Sequence, residues 1–306
     1  MNNQDDPFFS VILPVYNGAR YLKECVDCVL AQSYPHWELM IVDDASTDAT
    51  PEIIRGSVNR DSRVRALRNE KNIKSGPSTN RGIKECHGSW ICRVDGDDRY
   101  RPIFLERLFQ SIRQHGQSAD CFFTSYVKII DENGRSVMEI TLPDSKKVKQ
   151  MIWAENVICQ SATCYPKALW KKVGGYPSVQ SEPDDRALWK RFVKAHAELI
   201  MIPEILVDYR IHFTNITFSV DSGKDSSEIS GIEAVIKNKE WKIPIFLRQR
   251  MLKEARLEMK GLFKLQNRKT AKQRLYYLLT FLPSNLVYWI MWEIRPRILR
   301  VMKMAR

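Results

Sequence analysis

The chain has 306 residues, 44% hydrophobic, 27% charged and 10% aromatic, with 13 Gly and 14 Pro, which excludes wholesale disorder and a collagen-like fibre. The length suits one large domain, or a domain with an appendage. The net charge of +12 is unevenly spread: residues 241–306 hold 16 Lys+Arg against 3 Asp+Glu, and the first 240 hold 32 against 33, a neutral body that argues against nucleic acid as a partner.

Residues 9–15 form a short apolar, β-branched run that contains Pro14 and is followed by the turn pair Asn17-Gly18. Residues 20–32 follow with helical spacing. Within them Cys25 and Cys28 read as helix-core positions rather than half of a zinc site, because no second Cys/His pair stands at zinc-finger distance. Residues 39–42 are a second buried strand; Ser46 and Asp48 then suit a loop and a cap for a helix opening at Thr50-Pro51. A strand at 64–67, a helix at 76–86 and a strand at 90–94 complete the first part. Further on, the pattern predicts a helix over 102–115, a strand over 121–130 and a turn at Asp131-Glu132-Asn133-Gly134. Residues 135–160 carry no readable period. A helix at 166–173 is stopped by Gly174-Gly175, another spans 184–195, and two short strands lie at 199–202 and 205–210.

Strands alternating with helices of this length predict an α/β domain built of βαβ units around a mostly parallel sheet, here assigned to residues 1–218. A Ser/Gly/Asp/Lys-rich linker at 219–240 and a basic tail at 241–306 follow. Seven cysteines and an N-terminus, Met-Asn-Asn-Gln-Asp-Asp, without an apolar signal segment lead to the expectation of a reducing compartment, the cytoplasm.

In parallel sheets ligands bind beyond the carboxyl ends of the strands, and the acidic clusters fall there. Asp43-Asp44 ends the second strand and Asp95-Gly96-Asp97-Asp98 the fourth. Several carboxylates at one sheet edge are costly unless a cation neutralises them, and a hard divalent ion shared with phosphate would do so. The other reading of the D-x-D is a solvated acidic loop in which Asp98 caps a helix. P-loop, G-x-G-x-x-G and G-x-S-x-G patterns are absent, which removes P-loop NTPases, dinucleotide-binding enzymes and serine hydrolases.

Several segments in order resemble the family 2 glycosyltransferases of GT-A fold: Ser10-Val11-Ile12-Leu13-Pro14-Val15-Tyr16-Asn17, Ile41-Val42-Asp43-Asp44-Ala45-Ser46-Thr47-Asp48 and Val94-Asp95-Gly96-Asp97-Asp98. Val173-Gly174-Gly175-Tyr176, Asp184-Asp185-Arg186-Ala187-Leu188-Trp189 and Tyr209-Arg210-Ile211-His212 continue the set. The resemblance covers about residues 9–215. It implies a nucleotide-diphosphate sugar donor, Mg²⁺ or Mn²⁺, and inversion at the anomeric carbon. Pro14, Tyr16 and Asn17 would lie by the nucleotide base, with Asp44 accepting a hydrogen bond from it. Asp95 would face the ribose or the metal, Asp97 would hold the metal on the diphosphate, and Asp185 would be the general base. His212 is a candidate further metal ligand, or a structural histidine. Asp184-Asp185 reads alternatively as a helix cap.

Two departures from the family pattern stand out. Asp184 replaces the usual Glu before the base, and the helix after the third strand lacks the usual Arg before Asn80, so Arg81 or Lys74 would have to bring positive charge to the diphosphate. The expected activity is transfer of a sugar to a hydroxyl of a lipid-linked or growing surface glycan. The alternatives are a non-catalytic nucleotide-sugar-binding membrane scaffold, or a nucleotidyltransferase.

Residues 275–292 contain no charged side chain, yet Pro283-Ser284-Asn285 splits them into two short halves. With aromatic residues inside and Arg and Lys on both flanks, the tail reads as an amphipathic, interfacial element on an anionic membrane surface, making the protein peripheral on the cytoplasmic face. Deleting residues 241–306 is expected to abolish co-sedimentation with vesicles containing anionic lipid; a truncated protein that still pelleted would refute the tail's role.

Overall fold

A computed structural model describes residues 6–210, except 117, 154–155 and 178–183, together with His212. In chain order the elements are β1 (Phe9–Val15), α1 (Ala19–Leu30), β2 (Trp37–Asp43), α2 (Thr50–Arg60), β3 (Val64–Arg68), α3 (Ser75–Glu85), β4 (Trp90–Arg93) and β5 (Arg99–Tyr100). Then come α4 (Phe104–His115), β6 (Cys121–Ile130), β7 (Ser136–Ile140), α5 (Ser145–Met151), β8 (Thr163–Pro166), α6 (Lys167–Lys172), α7 (Asp184–Lys194) and β9 (Glu198–Arg210). A short 3₁₀ turn, Gln160–Ala162, leads into β8. The linker and tail assigned to residues 219–306 lie outside the described residues.

All seven residues of β1 are buried, as an apolar run covered on both faces requires. β1 pairs in parallel with β2 on one side and β4 on the other, and β2 pairs with β3. The full order is β3-β2-β1-β4-β8-β6-β9-β5, with β7 hydrogen-bonded to β6. Because β1→α1→β2 runs to one side of β1 and β3→α3→β4 returns to the other, β1 and β4 separate at their carboxyl ends, the position where such sheets open a crevice. Pro14 suits this place. The Phe9 N–H and Val15 carbonyl bond on the β2 side, and the Ile12 carbonyl bonds Val94 N on the β4 side. By alternation Pro14 faces the β4 side, beyond the last β1–β4 pair, Ile12 with Arg93, so no ladder bond needs its missing N–H.

The expectation of a mostly parallel sheet is corrected. Among the described residues the sheet is mixed: β4–β8, β6–β8, β6–β7 and β5–β9 are antiparallel, and β6–β9 is parallel. Two antiparallel partners of β8 turn the sheet after β4, and β8 was missed because four residues leading directly into a helix carry no period of their own. The two short strands expected at 199–202 and 205–210 are one strand, β9, which continues past Pro203 by a bulge: Ile202 pairs Ser125 and Ile205 pairs the next residue, Tyr126. The unreadable stretch contains β7 and α5.

Three helix placements fix the crevice. The N–H groups of Gly18 and Ala19, at the start of α1, donate to Thr50 Oγ1 (2.9 Å) and Asp48 Oδ2 (3.1 Å). The loop after β2 thus caps the helix after β1. Helix α3 packs so closely on the sheet that a β-carbon at Gly82 would stand 2.9 Å from side-chain atoms of Ile12 and Val42. Helix α7 is anchored by Leu188, Trp189 and Phe192, buried against Phe122 and Tyr165, with the Trp189 and Phe122 rings stacked at 6.0 Å. Gly82→Val is expected to cost roughly 1–3 kcal/mol through overpacking of α3 on β1 and β2, read as a lower urea midpoint with unchanged m-value.

Candidate active site

The two ends of the sheet treat their carboxylates differently. Glu38, buried at the start of β2, accepts hydrogen bonds from Ser10 Oγ (2.7 Å), Arg65 Nη1 (3.0 Å) and the His87 N–H (2.5 Å). Burial pushes its carboxyl up, but these donors outweigh burial and hold it below its ordinary value. At the carboxyl ends, by contrast, the carboxyls of Asp95, Asp98 and Asp185 are all pushed up. Carboxylates left energetically strained beside a crevice mark the functional end.

One wall comes from the loops after β1 and β2. Asn17, in the left-handed region at φ 51°, donates its N–H to Ser46 Oγ (3.0 Å) and accepts from the Thr47 N–H at Oδ1 (2.8 Å). Tyr16 beside it is 50% exposed, an aromatic ring held at the crevice by a rigid turn. Asp44 is buried and accepts from Asn69 Nδ2 (2.7 Å), Ile73 N (2.9 Å) and Lys74 N (2.8 Å), so it organises the segment entering α3. Asp43 pairs with Arg68 and accepts from the Ser46 N–H (2.9 Å).

The floor is the turn 95–98, closed by Asp98 N donating to the Asp95 carbonyl (3.0 Å). Reading Asp98 as a solvated cap is corrected: it is buried at 1% exposure and accepts from Arg210 N (2.9 Å) and Ser161 Oγ (2.5 Å). Ser161 Oγ in turn accepts from Asp95 N (3.1 Å). Burial, then the charges of Asp97 and Asp95, push the Asp98 carboxyl well up. Arg210, also buried, donates from Nε to the Asp97 carbonyl (2.9 Å) and from Nη2 to Glu24 (2.5 Å), and its guanidinium lies 4.5 Å from the Tyr21 ring centroid. His212 Nε2 stands 2.9 Å from Asp97 Oδ2, its ring 5.0 Å from that of Tyr21.

The other wall is the first turn of α7. Asp185 Oδ2 accepts from Asn156 Nδ2 (2.7 Å), and Oδ1 accepts from the Arg186 N–H (2.7 Å). Burial pushes its carboxyl up to about 6; the Asn156 hydrogen bond opposes that and the Asp184 charge adds to it. Asp184 Oδ1 accepts the Asp185 N–H (2.9 Å), so both acidic residues also serve the helix end.

The residues expected at the site divide accordingly. Pro14, Tyr16, Asn17 and Asp44 line or build the first wall, Asp95 and Asp97 belong to the turn of the floor where His212 meets Asp97, and Asp185 stands on the second wall. Arg81 does not bond to the acidic turn: its Nη1 donates to Asn69 Oδ1 (2.5 Å) and the Arg68 carbonyl (2.8 Å), placing it behind Asp44. Lys74 gives Asp44 its backbone N–H while its side chain is exposed. Sequence reasoning missed Asn69, Arg93, Asn156 and Ser161. Only Arg93 carried a signal, a charged residue inside the apolar run that leads into the acidic turn.

Two carboxylates and an imidazole are a donor set suited to a small divalent ion. Both Arg93 bonds to Asp95 land on Oδ1, leaving Oδ2 without a hydrogen bond among the described residues. Among those residues no three His, Cys, Asp or Glu groups are placed so that they could hold a metal ion by themselves. A divalent ion at this turn would therefore need oxygens from a bound substrate to complete its shell.

A sequence model described as Glycosyl transferase family 2 matches residues 10–169, more than half of the chain. The chain belongs to glycosyl transferase family 2. Similar proteins include glycosyltransferase GlyG of Streptococcus pneumoniae serotype 4, 34% identical over 135 residues, which are 44% of each chain. The putative teichuronic acid biosynthesis glycosyltransferase TuaG of Bacillus subtilis is 27% identical over 205 residues, 67% of this chain and 79% of TuaG. The chain thus spans under half of GlyG and most of TuaG. Among solved structures, S. aureus TarS 1–349 in complex with UDP-GlcNAc superposes with a TM-score of 0.57 at 19% identity, covering 94% of this chain and 85% of that one, a likeness of fold. No helix among the described residues is long and apolar enough to cross a membrane.

For this family 2 domain the raised Asp185 carboxyl has a thermodynamic consequence. Between its ordinary value of 3.8 and about 6 the folded state binds more protons than the unfolded one, so stability falls as pH rises through that window. Asp185→Asn removes the penalty. The variant is expected to melt at a higher temperature than the wild type at pH 7.5, with the difference vanishing below about pH 4; equal melting temperatures at pH 7.5 would show that the carboxyl is not strained.

Proposed function

We propose that the protein is an inverting, nucleotide-sugar-dependent glycosyltransferase that transfers a sugar to a hydroxyl of a lipid-linked or growing surface glycan. The observation that carries this reading is that the acidic turn holding Asp95 and Asp97 lies beside the first turn of α7, with Arg93 between Asp95 (2.9 Å) and Asp184 (3.7 Å), while the next carboxyl, Asp185, is pushed up to about 6. The UDP-GlcNAc bound by TarS makes UDP-sugars the first donors to try.

In this reading the nucleotide base stacks by Tyr16 and lies against Pro14 and Asn17, with Asp44 and the 69–74 segment forming its edge. Asp95, Asp97 and His212 would be the residues to hold a Mg²⁺ or Mn²⁺ brought with the donor, which would supply Lewis-acid stabilisation of the negative charge on the leaving nucleoside diphosphate. Asp185, as carboxylate, takes the proton of the acceptor hydroxyl. That oxygen forms the new bond to the anomeric carbon from the face opposite the diphosphate, and the electron pair of the breaking C–O bond leaves with the diphosphate. Asn156 aims the carboxylate, and the arginine-braced turn keeps water and charge organised around it. The basic tail would bring the domain to an anionic membrane where a lipid-linked acceptor resides.

The test is nucleotide release and sugar transfer from UDP-, GDP- and dTDP-sugars with Mn²⁺ or Mg²⁺ and detergent-solubilised membrane lipid. One donor is expected to be used, with kcat/KM falling below about pH 6 as Asp185 protonates. Asp185→Ala and Asp97→Ala are expected to lose at least about 10²-fold in kcat. Nucleotide binding without turnover, or an Asp185→Ala protein as active as wild type, would overturn the reading.

A further inference from the structure

Arg93 closes β4, a strand otherwise of Trp, Ile and Cys, and is 4% exposed. A buried guanidinium is tolerated only where carboxylates and hydrogen-bond acceptors surround it. Nε (3.2 Å) and Nη2 (2.9 Å) donate to Asp95 Oδ1, and Nη2 also donates to Ser75 Oγ at the start of α3 (2.6 Å). The ring of Tyr176 lies 5.5 Å from the guanidinium carbon. The remaining nitrogen, Nη1, points to helix α7 and stands 3.7 Å from Asp184 Oδ2.

That last distance is informative. Nη1 and Asp184 Oδ2 are both buried and neither makes a hydrogen bond, although they carry opposite charge and face each other. The gap is roughly an ångström longer than a charge-assisted hydrogen bond. The carboxylate reaches this position because residue 76 is glycine: a β-carbon there would stand 2.9 Å from Asp184 Oδ2 and 3.2 Å from its Cβ. One guanidinium therefore joins the turn that faces the donor to the helix whose next residue is Asp185. Arg93 is buried and its nitrogens face Asp95, Ser75 and Asp184, so its influence on the site passes through these partners.

We propose that Arg93 is a positioning residue that couples donor binding to the placement of the base, by releasing part of its hold on Asp95 and closing on Asp184 once a ligand engages Asp95. The inference rests on the reading of Asp95 as donor-facing and Asp185 as base. Asp95 holds Arg93 through Oδ1 alone, leaving Oδ2 toward the ligand. Positive charge brought to Oδ2 weakens the attraction between Asp95 and Arg93, and the nearest remaining counter-charge is Asp184. Closing Nη1 onto Asp184 draws the first turn of α7 toward the donor and fixes Asp185 beside the acceptor. A planar fork is needed for this three-way contact; a lysine ammonium cannot serve Asp95, Ser75 and Asp184 together.

The experiment uses the full chain and two readouts on wild type, Arg93→Met, Arg93→Lys and Asp184→Asn. The first is hydrogen–deuterium exchange of peptides from the start of α7, with and without Mn²⁺ plus UDP, GDP or dTDP. The second is kcat and donor KM. The nucleotide that binds is expected to slow exchange at α7 in wild type and not in the variants. Arg93→Met is expected to lose about 10²-fold in kcat with donor KM changed by less than about 3-fold, as for a misplaced catalytic group. The Arg93→Met/Asp184→Asn double variant is expected to be no worse than Arg93→Met, because both act through one contact. Asp184→Asn keeps the volume of the side chain and provides the test if Arg93→Met fails to fold. Nucleotide-dependent protection of α7 that persists in Asp184→Asn or Arg93→Met, or additive losses in the double variant, would overturn the inference while leaving the donor and base assignments intact. A wild type that binds none of the three diphosphates would overturn those assignments and the inference with them.

Discussion

Crowding of like charge at the carboxyl end of the sheet is the constraint on which the rest depends. Asp95, Asp97 and Asp98 come from one tight turn and Asp184 and Asp185 from one helix end, and repulsion among them would open the fold if water alone screened it. Two buried arginines stand against this, one on each side of the turn. Arg93 takes the Asp95 carboxylate and faces Asp184. Arg210 takes the Asp97 carbonyl and gives its N–H to Asp98. Both Arg93 bonds to Asp95 land on Oδ1, so this brace leaves Asp95 Oδ2 without a hydrogen bond among the described residues. The contrast with Glu38, whose donors hold its carboxyl below the ordinary value, shows what the same sheet does with a carboxylate that only has to be stable.

Preorganisation on the other wall has a similar logic with neutral partners. Loops after adjacent parallel strands usually flex independently. Here Asn17, Ser46 and Thr47 cross-link the first two, while Asp48 and Thr50 cap α1 from the second. Asp44 then binds three donors of the segment that starts α3. The exposed ring of Tyr16 therefore rests on a fixed turn, which reduces the entropy lost when a flat base stacks on it.

The first half of the fold was legible because β1, β2 and β4 are continuous buried runs bounded by turn residues and separated by helices of readable period, with only β3 partly exposed. Legibility failed where order depends on contacts between distant segments. β8 exists because β4 and β6 flank it, not because Thr163-Cys164-Tyr165-Pro166 prefers extension. Asp98 looked like a cap in a polar loop, and its burial depends on Arg210 and Ser161, which no local pattern links to it. The other expected site residues rest on motif order, whereas Arg81 rests only on proximity in sequence, and its helix presents it to Asn69. Spacing can name the face of a helix, but not whether a long side chain will reach the acidic turn or, as Arg81 does, a neighbouring amide and main-chain carbonyl.

The missing arginine of α3 and the buried arginine of β4 are best understood together. Thr79 occupies the place before Asn80, is fully buried, and donates its hydroxyl to the Ser75 carbonyl (2.8 Å). Ser75 also accepts Arg93 through its own hydroxyl (2.6 Å). A guanidinium at residue 79 would therefore share its surroundings with the guanidinium of Arg93 and require a second buried counter-charge to offset its desolvation. Asn80 is already committed to Tyr176 and Trp170, which hold the Gly174-Gly175 corner against α3. A single cation is what this pocket admits. Supplying it from β4 places it two residues before Asp95 and 3.7 Å from Asp184 at the start of α7, so that one side chain faces both the acidic turn and the helix that carries Asp185.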